Sequence, residues 1–156
     1  MKIRVIAVGS RMPGWVRQGF DDYTARLGPA TRVALTEIDP GVRTAGGSPQ
    51  KAIGTEARRL LAALRDREFV VVLDERGIQM STRELARWLD ARRRDGLDLA
   101  FLIGGPDGHA PEVLARGDLR WSLSRLTLPH ALVRVVLAEQ LYRAHALLGN
   151  HPYHRD

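Results

Sequence analysis

The residue types best suited to chemistry are concentrated in the last eight positions, GNHPYHRD, residues 149–156. A histidine exchanges a proton near neutral pH, a tyrosine donates a hydrogen bond or stacks on a base, and an arginine neutralises an anion. Chain ends usually fray into solvent, and Pro152 and Tyr153 are poor choices for a purely solvated segment. The composition therefore predicts a site here rather than a disordered basic end.

A second group of candidates lies in an apolar helical stretch from about residue 129 to 148. Arg134 lies one helical turn after His130 and is flanked by two apolar pairs. Glu139, Gln140 and Arg143 also interrupt the apolar surface. Such residues indicate either a paired network within an interface or ligand contacts, and Arg134 is the strongest candidate for a ligand contact.

Three segments are candidate loops at the carboxyl ends of strands, where open α/β sheets bind their ligands. They are LDERG (73–77), FLIGGPDGH (101–109) and WSLSRLTLPH (121–130). Gly104 and Gly105 follow an apolar strand directly, permit a positive φ and let a ligand approach the backbone. GGPDG is equally consistent with a tight turn that has Pro106 at its second position. It is not a phosphate-binding loop of the Gly-x-x-x-x-Gly-Lys type.

The chain contains no cysteine, which excludes disulfides, thiolate metal sites and cysteine nucleophiles. His145, His151 and His154 lie close in sequence but have no carboxylates at ligand spacing. We therefore expect no bound metal.

Charge indicates a polyanionic partner, because 24 Lys+Arg against 18 Asp+Glu give a net charge of +6. Nucleic acid is the first candidate. The apolar run that ends at Gly9 is too short to span a membrane and lacks a signal-peptide cleavage pattern. We expect a soluble cytoplasmic protein that does not bind membranes.

The elements that must position these groups alternate between strand and helix. Four apolar runs predict strands: 3–8, 33–38, 69–73 and 99–103. Three segments have helical spacing: 16–27, 50–65 and 82–94. This order predicts an α/β fold, a mostly parallel sheet flanked by helices, formed by one domain over residues 1–156. The run Arg92–Arg94 is read as a solvated helix end rather than an RNA contact.

The last helix is apolar on most of its circumference, so it must be covered on more than one side. In so short a chain, one side would be the chain's own sheet and the other a partner subunit. The sequence therefore predicts a homodimer.

Three segments together resemble the ribosomal RNA large subunit methyltransferase H family, which is of the SPOUT class. They are GGPDG, LSRLTLPHALVRVVLAEQLYRA and NHPYHRD, and the likeness extends from MKIRVIAVG to the last residue. The resemblance implies a C-terminal trefoil knot, a homodimer, and methylation of N3 of a pseudouridine in large-subunit ribosomal RNA, with the assembled ribosome as substrate. It also implies S-adenosylmethionine as methyl donor, held by residues that match the knot loops: Leu73, Gly104, Gly105, Leu123, Ser124, Arg125, Leu126, Thr127 and Leu128.

Activation of the methyl acceptor requires further groups. The imide N3–H is largely protonated at neutral pH and must lose its proton before it attacks the methyl group. The candidate catalytic residues are His130, Arg134, Tyr153 and His154. Arg134, Tyr153, His154 and Arg155 are the candidate RNA contacts, and the base itself is not assigned. Two alternatives are an RNA-binding assembly factor without catalysis and a flavodoxin-like nucleotide-binding module. The second lacks a phosphate loop after its first strand, where SRMPGW (10–15) stands.

Overall fold

The fold alternates strands and helices along the chain, as the computed structural model shows for residues 1–150, 152 and 153. The strands are β1 (Lys2–Val8), β2 (Arg32–Ile38), β3 (Glu68–Gln79), β4 (Asp98–Ile103) and β5 (Leu119–Ser122). The helices are α1 (Gly14–Ala25), α2 (Gln50–Ala63), α3 (Thr82–Arg94), α4 (Pro111–Arg116) and α5 (His130–Leu148).

The five strands form one parallel sheet in the order β2-β1-β4-β3-β5. Val5 of β1 pairs with Leu35 of β2 on one side and with Phe101 of β4 on the other. β1 and β4 lie inside the sheet with both faces covered, which explains their continuous apolar runs. The parallel sheet predicted from the sequence is confirmed.

Helices cover both faces, and alternate residues of β1 point to opposite cores. Val5 packs in one core with Phe20 of α1 and Leu137 of α5. Ile6 packs in the other with Leu60 of α2. This alternation follows from the two-residue period of a strand.

α5 lies on the same face as α1 and α3 and contacts both. A Cβ at Gly19 of α1 would lie only 3.2 Å from Cγ1 of Val135, so the two helices approach closely there. The chain's own helices thus cover part of the surface that the sequence analysis assigned to a partner subunit. Leu132 and Val136 are still only half-buried, and the homodimer stays a prediction.

The bounds of α3 agree with the sequence analysis because its start carries a full capping box. Ser81 Oγ accepts a hydrogen bond from Glu84 N, and Glu84 Oε2 accepts one from Ser81 N. At the other end, Arg92 pairs with Asp95 and Arg93 with Asp90. The interpretation of the arginine run as a helix end is confirmed.

The structure corrects three details. LDERG is not a loop, because β3 continues through it to Gln79, with a register shift against β5 between Leu73 and Ile78. α4 and β5 were missed because six and four residues are too few for a clear period. The helical stretch expected from about residue 129 begins at His130, and Pro129 takes the extended conformation of its N-cap.

Candidate active site

A cavity of about 390 Å³ opens where β3, β4 and β5 end, at the carboxyl edge of the sheet. All three segments predicted to converge there contribute to its wall. Its size falls within the roughly 300–1,000 Å³ of typical small-molecule sites. The wall consists of Leu73, Asp74, Glu75, residues 103–109, Trp121, Leu123, Ser124, residues 126–128, His130 and Val133.

The loop after β4 is a tight turn, as one interpretation of GGPDG predicted. Gly108 N donates to the Gly105 carbonyl at 3.1 Å, which places Pro106 at the second position. Only Gly108 of these glycines has a positive φ, at 77°. Gly104 and Gly105 therefore do not use the positive φ that glycine permits.

Close packing, not backbone conformation, explains the glycines at positions 104 and 105. A Cβ at Gly104 would lie 3.2 Å from the carbonyl of Gly108 and from Cε1 of His109. A Cβ at Gly105 would lie 3.2 Å from Cγ1 of Val8 and 3.3 Å from Oε2 of Glu56. Even a Cβ at either position would crowd these neighbours by a few tenths of an ångström, and a larger side chain would crowd them further.

Two ion pairs, Asp107–Arg43 and Arg43–Glu56, connect this loop to α2, and we call them the Arg43–Glu56 relay. Glu56 of α2 is 2% exposed, and its Oε1 accepts from Arg43 Nη1 at 2.7 Å and from Gly41 N at 3.2 Å. Arg43 Nε donates to Asp107 Oδ2 at 2.7 Å, and the hydrogen bond to Glu56 is the largest cause of the raised pKa of Arg43. Sequence reasoning missed Arg43 and Glu56, because charged residues in a loop and a helix give no signal of their pairing.

The segment 123–128 is a loop held by its own serine. Ser124 Oγ accepts from Leu126 N at 2.9 Å, and the Ser124 carbonyl accepts from Ser122 Oγ at 2.8 Å. These bonds turn the chain away from β5, so residues 123–128 do not extend that strand. Leu126 lines the cavity and is 72% exposed. Arg125 is also exposed, but it does not line the cavity.

Two carboxylates give one wall of the cavity a negative charge. Asp74 accepts from Arg120 Nη2 at 2.7 Å and from Arg76 N at 3.2 Å. Burial raises the pKa of Asp74, but these two hydrogen bonds outweigh it and hold the pKa below its usual value. Asp74 is therefore ionised at neutral pH, but the ion pair with Arg120 offsets its charge, so the net negative charge of this wall comes from Glu75.

His130 lies at the first turn of α5, half-buried in the cavity wall. Burial, followed by the nearby positive charge of Arg134, lowers its pKa from 6.5. A Cβ at Gly9 would lie 3.9 Å from His130 Nε2 and 3.5 Å from Arg134 Nη2, and Gly9 has a φ of 111°. The loop after β1 therefore packs directly against both side chains, and the imidazole is neutral near pH 7.

Arg134 is 1% exposed and binds protein groups. Its Nη1 donates to Glu37 Oε2 at 2.8 Å, and its Nη2 donates to the Gly9 carbonyl at 2.8 Å. The side chain therefore joins the ends of β1 and β2 to the start of α5. Contact of Arg134 with RNA stays a prediction, and the geometry indicates a positioning role next to His130.

Tyr153 packs beside Glu139 and Tyr142 of α5, whereas this cavity lies at the first turn of that helix. Its ring contacts Tyr142 at a centroid distance of 4.6 Å, and its hydroxyl donates to Glu139 Oε1 at 3.2 Å. Burial is the largest cause that raises the pKa of Tyr153 to about 12, so the phenol stays protonated at neutral pH. Glu139 follows His130 by nine residues, or about 14 Å along the helix at about 1.5 Å per residue. His154 and Arg155 lie outside the described residues.

The part of the chain that the structure describes contains no group of three or more His, Asp or Glu side chains that could hold a metal ion. No helix in that part is long and apolar enough to cross a membrane.

Comparison with known proteins gives full-length matches. Residues 1–154 match the family model described as "Predicted SPOUT methyltransferase". A ribosomal RNA large subunit methyltransferase H from Stenotrophomonas maltophilia is 54% identical over 155 residues, and one from Alkalilimnicola ehrlichii is 56% identical. Each alignment covers 99% of this chain and 99% of the relative.

Solved structures share the fold at low sequence identity. A probable methylase family protein from Haemophilus influenzae aligns with a TM-score of 0.56 and 14% identity, covering 99% of this chain and 70% of that one. A putative methyltransferase from Legionella pneumophila, solved with bound cofactor SAM, aligns with a TM-score of 0.50 and 12% identity, covering 92% of this chain and 66% of that one.

Proposed function

The chain belongs to the ribosomal RNA large subunit methyltransferase H family of SPOUT methyltransferases, and on this premise we propose that it methylates N3 of a pseudouridine in large-subunit ribosomal RNA. The methyl donor is S-adenosylmethionine, and the substrate is the assembled ribosome. The observation that carries the proposal is identity above 50% to these enzymes over nearly the whole of both chains. Family membership also implies the trefoil knot.

The cavity at the carboxyl edge of the sheet fits the donor. Apolar side chains and loop backbone suit the adenosine, while Asp74 and Glu75 suit the cationic sulfonium and the ammonium group. Of the nine residues proposed to bind the donor, all but Arg125 line the cavity: Leu73, Gly104, Gly105, Leu123, Ser124, Leu126, Thr127 and Leu128. The Arg43–Glu56 relay holds the turn at residues 104–109 in place before the donor arrives.

When bound, S-adenosylmethionine supplies a methyl group that is already electrophilic. The protein therefore contributes mainly alignment and removal of the N3 proton. Of the two histidines that line the cavity in the described residues, we assign His130 as the proton acceptor, because it is less buried than His109 and its lowered pKa leaves it neutral. Arg134 fixes the turn that carries His130 through its bonds to Glu37 and Gly9, so we assign it a positioning role.

A second subunit completes the proposed site. Tyr153 is held by Glu139 and Tyr142, about 14 Å from the start of its own α5. A chain end anchored there is badly placed to serve its own cavity. We therefore propose that Tyr153, His154 and Arg155 act in the partner's cavity in a homodimer, where the Tyr153 hydroxyl exchanges its hydrogen bond to Glu139 for one to RNA.

The test uses purified protein, labelled S-adenosylmethionine and ribosomes from cells that lack the gene, followed by mass mapping of the large-subunit RNA. We expect one methylated pseudouridine, which is absent when the protein is omitted. Free large-subunit RNA and isolated subunits serve as alternative acceptors. Transfer of methyl groups to none of the three would overturn the proposal, and equal transfer to all three would overturn its ribosome requirement.

A further inference from the structure

A second cavity, of about 260 Å³, opens between the loop after β1 and the start of α5. Its floor is apolar and its rim is charged. It is lined by Arg11, Met12, Val16, Arg17, Phe20, Leu35, Glu37 and Arg134. Of these residues, only Arg134 and its partner Glu37 have a place in the proposed chemistry, and none lines the donor cavity.

This cavity lies next to the donor cavity. Arg134 lines the second cavity and His130 lines the first. Both side chains come within 4 Å of the position that a Cβ at Gly9 would occupy. A nucleotide whose N3 lies against His130 therefore has its chain neighbour within reach of the second cavity.

The lining suits a flat, partly polar ring. Val16 and Phe20 are 1% and 2% exposed and form an apolar floor. Arg11 and Arg17 are exposed donors at the rim, and Glu37 is an acceptor there. Unpaired RNA bases are recognised by stacking on aromatic or guanidinium planes and by hydrogen bonds to their edges. Because a carboxylate repels phosphate, the lining favours a base over the sugar–phosphate chain.

Two observations define the roles of the arginines here. Arg134 is 1% exposed and its Nη atoms bind Glu37 and the Gly9 carbonyl, so it forms part of the cavity wall. Arg11 is exposed at the rim and has a φ of 58°, a left-handed conformation that glycine or asparagine adopts more readily. Glycine can therefore replace Arg11 without straining the loop.

We propose that the second cavity receives an unpaired RNA base adjacent to the nucleotide that is methylated, stacked by Arg11 over the apolar floor. The inference rests on the proposed function and adds a specificity site to it. The occupied cavity holds the acceptor strand in register with His130. It therefore contributes to RNA affinity and leaves donor affinity unchanged.

The first test compares two matched variants, Arg11→Gly and Arg67→Gly. Both arginines are exposed and left-handed, with φ of 58° and 69°, so glycine fits both and each change removes one positive charge. Arg67 lies in neither cavity. We expect Arg11→Gly to raise KM for ribosomes about tenfold, with kcat and the Kd for S-adenosylmethionine unchanged, and Arg67→Gly to change none of them. Equal effects of the two variants would mean that Arg11 contributes only general attraction between positive charge and RNA. That result would overturn the proposal.

The second test replaces Met12 with the photo-reactive residue benzoylphenylalanine and irradiates the full-length protein on ribosomes. We expect a cross-link to the RNA within one or two nucleotides of the methylated position. A cross-link to a ribosomal protein, to a second copy of this chain or to distant RNA would overturn the inference. If wild-type protein methylates ribosomes but either test fails, only the proposal for the second cavity is overturned. If wild-type protein transfers no methyl group, the proposed function itself is overturned.

Discussion

Arg134 Nη1 lies 2.8 Å from Glu37 Oε2, which joins the first turns of α5 to the end of β2 across the loop that follows β1. The guanidinium side chain is 1% exposed and the carboxylate side chain 31%. The arginine is thus almost fully desolvated. Its buried positive charge is stabilised by this carboxylate and by the Gly9 carbonyl.

Removal of this guanidinium should destabilise the fold. We expect Arg134→Ala to lower the free energy of unfolding by about 2–4 kcal/mol, because it leaves the Gly9 carbonyl and Glu37 unpaired and creates a cavity. Arg17→Ala, which breaks an exposed pair with Asp21, should change it by about 0.5 kcal/mol or less. Urea denaturation checks both values, and equal costs for the two variants would contradict the positioning role.

Gly104→Val should abolish binding of S-adenosylmethionine. The new side chain would meet the Gly108 carbonyl and His109 and displace the turn that lines the donor cavity. Gly54→Val is the control, because the nearest atom to a Cβ at Gly54 is 3.9 Å away, at the end of the Arg58 side chain. Calorimetry should give no binding for the first variant and wild-type affinity for the second, with circular dichroism showing that both stay folded. Unchanged affinity in Gly104→Val would remove this loop from the site.

Methyl transfer should fall as the pH drops below 6.5, because a protonated His130 cannot accept the N3 proton. Burial and Arg134 lower the pKa of His130, so the midpoint of the acidic limb of kcat/KM should lie below 6.5. His130→Gln should reduce the rate about 10²–10⁴-fold and remove that limb. If His130→Gln retained the acidic limb, another group would have to be the base.

His109 should make the protein less stable in mild acid. Burial lowers the pKa of His109 in the folded state, so the unfolded chain binds the proton more tightly. Stability is therefore lost as the pH falls through 6.5. Neither ring nitrogen makes a hydrogen bond of normal geometry, so His109→Leu should cost little at pH 8 and should flatten the decline between pH 7 and 5. Thermal unfolding across that range checks the slope, and an unchanged slope in His109→Leu would contradict the assignment.

Truncation after Asn150 should separate binding from catalysis. We expect the dimer and its donor affinity to persist, because the core and the donor cavity lie upstream, while methyl transfer disappears. Co-expression of this truncated chain with Gly104→Val under two affinity tags yields heterodimers with one intact cavity and one intact partner tail. Activity in the purified heterodimers is expected. Its absence would mean that the tail serves its own subunit.

The alternation of apolar runs and helical spacing was enough to predict the parallel sheet and the edge at which the cavity opens. Short-range rules explain this success: the capping box at Ser81 fixes α3, and the turn at Gly105–Gly108 follows from Pro106. The segments that failed were those where tertiary pairing overrides local pattern. Ile78 and Gln79 extend β3 by pairing with Trp121 and Ser122 of β5 beyond the register shift.

The sequence by itself determined four of the five strands and, through three motifs, the family. Only the tertiary structure decided what the charged residues do, because charge pairing depends on distances between segments far apart in the chain. Arg134 had a predicted ligand role, yet its partner Glu37 is 97 residues away and draws it into the interior. The crowding that explains Gly104 comes from Gly108 and His109 folding back over it. The second cavity likewise exists only because β2, α1, α5 and the loop after β1 meet, and no local pattern encodes a space enclosed by four separate segments.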